Sequence, residues 1–319
     1  MKITGTGRFA PITSLSNDDL SKLVDTNNEW ITTRTGIKKR HISTSENTSD
    51  LAFKAAVNAM DKAGVKAEQI DLIIVATFTP DAFLPSVASM VQEKLGIKQA
   101  MAFDINAACS GFIYGLTIAK NLMLSKVYQC ALVIGAETIS KVIDWQDRDT
   151  CILFGDGAGA VVLQHTREEG LLYEYCAAKP DLNHDLITGG VPLTNPLFKA
   201  DHQDYFIHMQ GQNVFKFAIS AATASIQKVL TETGLTINDI NYIVCHQANY
   251  RIIKKIAKTL SIPEAQFFMN LDEYGNTSAA SIPIALDEMV EIGLLQAGMN
   301  IILVGFGAGL TWGASLIKW

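Results

Sequence analysis

The chain has few of the residues that mark secreted or metal-stapled proteins. Among 319 residues there are five cysteines and eight prolines, and no two cysteines form a C-x-x-C pair. An odd cysteine count without such pairs predicts neither a disulfide framework nor a zinc ribbon, and it is typical of the reducing cytoplasm. The N-terminus lacks a basic segment followed by an apolar one, so no secretory signal is expected.

Long apolar runs and excess positive charge are also missing. The longest apolar stretch, residues 301–317, is interrupted by four glycines, which predicts two buried strands and a tight turn rather than a membrane span. The 26 basic and 32 acidic residues give a net charge of -6, which argues against nucleic-acid binding. The six histidines show no ligand spacing, so no metal site is predicted.

The chain does contain an internal duplication. Residues 60–77 align without a gap on residues 230–247, an offset of 170 (230 minus 60), and residues 131–137 match residues 301–307 at the same offset. One shared offset makes chance similarity a poor explanation. Apolar strands alternating with amphipathic helices predict sheets covered on both faces. We therefore expect an α/β fold, a five-layered α/β/α/β/α sandwich of two similar halves, residues 1–165 and 166–319.

Cys109 is the first candidate functional residue. It stands among small residues, directly before an apolar helical pattern. A thiol at a helix N-terminus is expected to favour the reactive thiolate, although a small buried hydrophobe is the alternative. With a three-residue gap, the second copy of the repeat aligns Asn276 with Cys109.

His246 and Asn276 complete a predicted Cys/His/Asn site. His246 follows an apolar strand pattern, at the end where α/β sheets present side chains to ligands. Taken singly, a histidine there is more often structural, and an Asn before Thr277 is more often a turn or helix cap. Papain-like hydrolases share the order Cys, His, Asn, but their C-G-[SA]-C-[WY] signature is absent. A non-catalytic binding scaffold is a further alternative.

A glycine-rich segment does not predict a cofactor. Residues 155–160 satisfy a permissive G-x-G-x-x-[GA] pattern. The dinucleotide fingerprint requires a helix after it, whereas the apolar residues that follow here predict a strand. No cofactor is expected.

Four motifs of the chain resemble the β-ketoacyl-acyl carrier protein synthase III family of initiating ketosynthases, which belongs to the thiolase superfamily. The motifs are Ala108-Cys109-Ser110-Gly111 and residues 246–251, 274–281 and 305–313. The resemblance covers nearly the whole chain. It implies a thiolase-like fold, a homodimer, and an acyltransferase that condenses an acyl-CoA primer with malonyl-acyl carrier protein to initiate type II fatty acid synthesis.

The resemblance also implies roles for site residues. Cys109 would carry the acyl group, and His246 and Asn276 would donate hydrogen bonds to the malonyl thioester carbonyl. Phe306 would support decarboxylation, and the N–H groups of Cys109 and Ala308 would bind the oxyanion. The family often has three glycines after this Phe, so Ala308 can serve as a donor only if its φ angle is negative.

The resemblance finally implies binding residues. For CoA they are Trp30, Arg34, Arg148, Gln212 and Asn249, and for the acyl pocket they are Phe83 and Leu84. For the carrier protein they are Gln247, Ala248, Asn249, Tyr250, Arg251, Lys254, Lys255 and Lys258. Helical periodicity independently puts the four cations of this last set on one face, which suits an acidic carrier protein, although an ordinary solvated face is the alternative.

Overall fold

Strands and helices alternate along most of the chain in the computed structural model, which describes residues 1–200 and 204–319. The strands are β1 Lys2–Phe9, β2 Ser14–Ser16, β3 Lys39–His41, β4 Leu72–Ala76, β5 Met101–Ile105, β6 Cys130–Glu137, β7 Gly157–Gln164, β8 Leu171–Ala178, β9 Leu186–Thr188, β10 Thr194–Asn195, β11 Phe198–Lys199, β12 Ile207–Met209, β13 Tyr242–Cys245, β14 Asn300–Gly307 and β15 Thr311–Lys318. The α-helices are α1 Asn17–Leu20, α2 Asn28–Thr35, α3 Thr48–Ala63, α4 Val87–Lys94, α5 Gly111–Leu124, α6 Arg148–Cys151, α7 Gly211–Thr233, α8 Tyr250–Leu260, α9 Leu271–Tyr274 and α10 Ser281–Glu291.

Two mixed sheets with equivalent strand orders form the body of the protein. The first has the order β1-β7-β6-β4-β5, and the second runs β8-β15-β14-β13. The counterpart of β5 is reduced to a single parallel bridge between Ile243 and Phe267. Strands of the first sheet lie within residues 2–164 and those of the second within residues 171–318, on either side of the predicted boundary between the halves.

The helices form three layers around the two sheets. Helices α3 and α4 cover the outer face of the first sheet, and α7 and α8 cover the outer face of the second. Helices α5 and α10 lie between the sheets, where Phe112, Leu116, Leu286 and Met289 are fully buried or nearly so. Because α5 is apolar on most sides, it can be covered by both sheets at once. This arrangement confirms the predicted five-layered sandwich.

Two equivalent glycines bring the halves together at the centre. Gly135 and Gly305 are 170 residues apart, as the repeat predicts. A Cβ atom on Gly135 would lie 2.1 Å from the Ala279 carbonyl oxygen, and one on Gly305 would lie 2.9 Å from the Ser110 Cα. Each strand therefore approaches a turn of the opposite half so closely that a side chain does not fit.

These two turns share one backbone geometry. Asn106 Oδ1 accepts a hydrogen bond from Ala108 N at 3.2 Å, and Asn276 Oδ1 accepts one from Ser278 N at 2.9 Å. Ala108 and Ser278 both have positive φ angles, 45° and 50°. The structure thus makes Asn106 the counterpart of Asn276.

The predicted pairing of Cys109 with Asn276 is therefore wrong. At the uninterrupted offset of 170, the counterpart of Cys109 is Ala279. Both stand in one-turn 3-10 helices, Ala108–Ser110 and Ser278–Ala280, which lead into α5 and α10. The gapped alignment paired two residues that have functional side chains. In the structure the equivalent positions are those of the two turns, which match at the offset of 170 without a gap.

Two other predictions about strands are confirmed. Residues 301–317 form β14 and β15 with a tight turn, and the glycine-rich segment leads into strand β7. Within the described residues, no helix is both long enough and apolar enough to cross a bilayer.

Candidate active site

Cys109 lies in the 3-10 turn at the start of α5, and 8% of its surface is exposed. Burial raises the pKa of its thiol to about 12, an effect that the neighbouring Ser278 hydroxyl opposes and the buried Glu137 carboxylate strengthens. In the substrate-free protein, desolvation therefore affects the thiol pKa more than the helix N-terminus does. Cys109 is a protonated thiol there, and the expected thiolate is not formed.

His246 follows β13 and is 2% exposed. Its Nδ1 lies 2.7 Å from Ser281 Oγ, which also accepts a hydrogen bond from Gln247 N at 3.3 Å. With that backbone donor on Ser281, the hydroxyl proton is directed at Nδ1, and this favours the tautomer with a proton on Nε2. Burial lowers the pKa of His246 to about 3, so the ring is neutral and can donate. The Phe306 ring packs against it edge to face, with centroids 5.3 Å apart.

Asn276 is held so that its amide nitrogen stays available. Its backbone N donates to the Leu153 carbonyl at 2.8 Å, and its Oδ1 accepts from Ser278 N. With the oxygen engaged, the Nδ2 group is the part of the side chain that can bind a ligand. The same turn that orients Asn276 thus makes it a donor.

One cavity of about 320 Å³ joins these three residues, within the range of small-molecule sites. Phe306 and Ala308 also line it. The rest of the wall is mostly apolar. Part of it comes from the start of α7 and the β9–β12 pair: Leu186, Thr188, Ile207, Met209, Gly211, Val214, Phe215, Phe217 and Ala218. Other segments contribute Phe78, Asn106, Ala108, Leu153, Phe154, Ala248, Asn249, Ile252, Gly307 and Leu310. The structure therefore brings together the predicted Cys/His/Asn set in a largely apolar pocket.

Backbone donors stand beside the thiol. A Cβ atom on Gly307 would lie 2.7 Å from Cys109 N, so the end of β14 lies directly against the nucleophile turn. Ala308 does not have a positive φ, which meets the condition for its role as a donor. Thr311 Oγ1 lies 2.9 Å from the carbonyl oxygens of both Ala107 and Ala308, so its single proton is shared between them and ties the two loops together.

Three predicted CoA residues form a cluster on the surface. The guanidinium carbons of Arg34 and Arg148 lie 4.4 and 4.7 Å from the centroid of the Trp30 ring. Arg148 also donates to the Asp25 carbonyl at 3.1 Å. The cluster offers an aromatic face and two cations, a combination suited to a base and phosphates.

Asn249 and Gln212 stand nearer the cavity. Asn249 lines it, caps α8 by accepting from Arg251 N at 2.8 Å, and donates to the Arg34 carbonyl at 3.2 Å. Gln212 is exposed in the first turn of α7 and does not line the cavity.

Helix α8 has the predicted two-sided character. Its four cations are exposed, and Ile252, Ile253 and Ile256 are buried. Lys254 has an acidic neighbour on this face, because Glu264 Oε1 lies 3.7 Å from Lys254 Nζ.

The residues preceding this basic face differ in exposure. Ala248 lines the cavity, and Tyr250 is half-buried. Gln247 is 1% exposed, and its amide donates to the carbonyls of Cys245 and Phe268. The prediction that Gln247 contacts a carrier protein is therefore wrong, because its side chain is used inside the fold.

Phe83 and Leu84 do not line the cavity of their own chain. They are 80% and 86% exposed, in the segment between β4 and α4. Such exposure of neighbouring large apolar side chains is typical of a contact surface.

Four neighbours of the site were not found from the sequence: Asn106, Glu137, Ser278 and Ser281. Asn106 could have been identified from the uninterrupted offset of 170 residues. Glu137 is the last residue of the strand matched in the repeat, where the second copy has Gly307. Within the described residues, no group of three His, Cys, Asp or Glu side chains is arranged to hold a metal ion.

Comparison with known proteins gives one consistent family. The profile described as 3-oxoacyl-[acyl-carrier-protein (ACP)] synthase III matches residues 103–179, and that of its C-terminal part matches residues 230–319. The β-ketoacyl-[acyl-carrier-protein] synthase III of Clostridium tetani is 51% identical, over 100% of this chain and 98% of the relative. The corresponding structure from Aquifex aeolicus has a TM-score of 0.93 at 43% identity, covering 100% and 99% of the two chains, and that from Thermus thermophilus has 0.94 at 40%, also covering 100% and 99%.

Proposed function

The chain belongs to the 3-oxoacyl-[acyl-carrier-protein] synthase III family, and we propose that Cys109, His246 and Asn276 carry out the condensation for which the family is named. The enzyme is a C–C bond-forming acyltransferase that joins an acyl-CoA primer to malonyl-acyl carrier protein and so initiates type II fatty acid synthesis. One observation supports the residue assignment above others: Cys109, His246 and Asn276 line the same cavity.

Acylation is the first half of the reaction. The Cys109 sulfur attacks the thioester carbon of acyl-CoA, and the CoA thiolate leaves. The N–H groups of Cys109 and Ala308 stabilise the tetrahedral oxyanion, a role supported by the close approach of Gly307 to Cys109 N. Because burial raises the pKa of Cys109, its proton must be removed as the substrate enters.

Condensation is the second half. The malonyl thioester carbonyl accepts hydrogen bonds from His246 Nε2 and Asn276 Nδ2, which stabilise the enolate as CO₂ leaves. The enolate carbon then attacks acyl-Cys109 and releases the 3-oxoacyl product. Phe306 beside His246 keeps the carboxylate poorly solvated, which favours its loss.

The binding residues divide between two partners. The cluster of Trp30, Arg34 and Arg148 takes the nucleotide end of CoA, with Asn249 and Gln212 along the path of the pantetheine arm. The exposed cations of α8, together with Tyr250 and Ala248 at the cavity side, dock the acidic carrier protein. The protein acts in the cytoplasm as a homodimer, without a cofactor, and Phe83 and Leu84 of each protomer contribute to the acyl pocket of the other.

Mass spectrometry of the acylated protein tests this function. Incubation with acetyl-, butyryl- or isobutyryl-CoA should add one acyl group to the peptide that contains Cys109, and malonyl-acyl carrier protein should then yield a 3-oxoacyl product. Cys109→Ala should take up no acyl group. Release of free acid without a condensation product would contradict the proposal.

A further inference from the structure

Glu137 is a fully buried carboxyl group at the end of β6 that the steps above do not use. Its Oε2 accepts hydrogen bonds from Thr77 Oγ1 at 3.0 Å and from Thr79 N and Phe78 N, both at 3.2 Å. Its Oε1 is less engaged, with Phe78 N at 3.4 Å. The side chain is thus rigidly held, with one oxygen left over for a further donor.

Ser278 stands between this carboxyl group and the nucleophile. The 3-10 turn that begins with Ser278 packs against both the Cys109 turn and strand β6, and the Ser278 hydroxyl lowers the pKa of both Cys109 and Glu137. The residue is 1% exposed, and within the described residues its Oγ makes no hydrogen bond. A buried hydroxyl without a fixed partner needs an explanation, and a position between a proton donor and a proton acceptor supplies one.

Few charged groups face Glu137. Lys141 is the neighbouring cation, and its ammonium group donates to the Thr79 carbonyl at 2.9 Å. The carboxylates of Asp81 and Asp156 raise the pKa of Lys141, and their negative charges partly offset its positive charge. Cys109 is the titratable group on the side of the nucleophile turn.

We propose that Glu137 receives the proton of the Cys109 thiol through Ser278 and holds it while the malonyl group decarboxylates. The proposal rests on the function assigned above. During acylation the S–H bond of Cys109 breaks, its proton passes to Ser278 Oγ, and the Ser278 hydroxyl proton passes to Glu137 Oε1. The sulfur bonds to the acyl carbon, and the departing CoA thiolate takes a proton from water.

The proton returns when the product forms. As the enolate carbon bonds to the acyl carbon, the C–S bond to Cys109 breaks. The released thiolate then recovers its proton from Glu137 along the same path. The cycle consumes one proton in total, the one that leaves on CoA.

The stored proton favours decarboxylation for an electrostatic reason. Decarboxylation leaves a negative enolate next to acyl-Cys109, in a cavity whose wall is largely apolar. An ionised carboxylate nearby would repel that charge strongly in such a medium, whereas a neutral carboxylic acid would not. Glu137 is thus a proton-storing residue whose charge follows the state of the nucleophile.

The test is a single turnover that starts from acylated protein, so that Cys109 cannot titrate. The purified acyl-protein is mixed with malonyl-acyl carrier protein between pH 6 and 9, and the 3-oxoacyl product is measured. Burial raises the pKa of Glu137 to about 7. Since His246 stays neutral over this range, the wild-type rate should fall about tenfold per pH unit above that pKa.

Variants test whether ionisation of Glu137 causes this fall of the rate at alkaline pH. In Glu137→Gln the rate should change less than about twofold across the range, because no proton can be lost. Glu137→Asp should retain the fall. Lys141→Met should move it to higher pH, since the cation favours the ionised carboxyl group. A merely structural role of Glu137 would lower the rate equally at every pH.

The outcomes separate the two proposals. If acyl-CoA does not acylate wild-type Cys109, the assigned function fails. If Cys109 is acylated but Glu137→Gln keeps the wild-type alkaline fall, or wild type has none, proton storage by Glu137 is overturned. Should Glu137→Gln not fold, an alkaline fall that stays at the wild-type pH in Lys141→Met, or that disappears in Glu137→Asp, would overturn it as well.

Discussion

Ser281 Oγ lies 2.7 Å from His246 Nδ1, and this contact joins the first residue of α10 to the end of β13. It orients the imidazole and favours the tautomer with a proton on Nε2, because Ser281 also accepts the Gln247 N–H. The proposed donor function of His246 Nε2 therefore depends on a hydroxyl that never touches substrate.

Loss of that hydroxyl should slow condensation. In Ser281→Ala, we expect the rate of the malonyl step to fall about tenfold, the equivalent of one neutral hydrogen bond. Formation of acyl-Cys109 should change less than about twofold, because it does not use His246 as a donor. Separate single-turnover assays of the two half-reactions check this, and equal loss in both would contradict it.

Asn276→Asp should abolish most decarboxylation. An ionised carboxylate accepts hydrogen bonds but cannot donate one, so we expect a loss of about 100-fold or more in CO₂ release from malonyl-acyl carrier protein. The control is Asn121→Asp, on the exposed side of α5 and away from the cavity, where a loss below about threefold is expected. Similar losses in both variants would mean that added negative charge in general, and not the lost donor of Asn276, slows the reaction.

Charge reversal on α8 should weaken binding of the carrier protein alone. Arg251→Glu should raise the KM for malonyl-acyl carrier protein about tenfold and leave the KM for acyl-CoA unchanged, with a smaller effect at high salt. Lys66→Glu is the control, because Lys66 is exposed before β4, at the sheet end opposite the cavity. An equal response to both reversals would exclude a specific docking face.

Removal of the Trp30 ring should affect the primer and not the chemistry. In Trp30→Ala, the KM for acyl-CoA should rise about tenfold, by loss of stacking with a base. Acylation of Cys109 by a short acyl thioester that lacks the nucleotide should stay within about twofold of wild type. A matching loss with the short thioester would show that Trp30 supports the fold instead.

His246 and Glu137, both buried, should make the free energy of unfolding depend on pH in opposite directions. Burial lowers the pKa of His246 from 6.5 to about 3, so the unfolded chain binds a proton that the fold does not, and acidification below pH 6.5 destabilises. Burial raises the pKa of Glu137 from 4.5 to about 7, so stability falls as pH rises across that interval. Each slope is at most about 1.4 kcal/mol per pH unit.

Urea denaturation between pH 5 and 7.5 separates these contributions. Relative to wild type, His246→Gln should lose less stability on acidification, and Glu137→Gln should lose less as the pH rises. Parallel curves for all three proteins would contradict the assignment of either slope.

Much of the architecture was predictable because its signals are local. Repeated strand patterns identified the two halves, and the helical period of α8 identified its buried isoleucines and exposed cations. The register of the repeat at Cys109 was predicted wrongly, since the turn depends on the positive φ of Ala108 and Ser278, which residue types alone do not reveal. Gln247 was misassigned for a related reason: its burial follows from contacts with the distant Phe268 carbonyl.

By itself the sequence determined the kinds of elements, their layering and the chemical types that stand at the strand ends, because apolar periodicity acts over a few neighbouring residues. The tertiary structure alone decided the protonation and direction of those groups. Burial moves the pKa of Cys109, Glu137 and His246 away from their ordinary values, and Ser281 orients an imidazole 35 residues before it in the chain. Desolvation and hydrogen bonding of this kind exist only once distant segments have packed together.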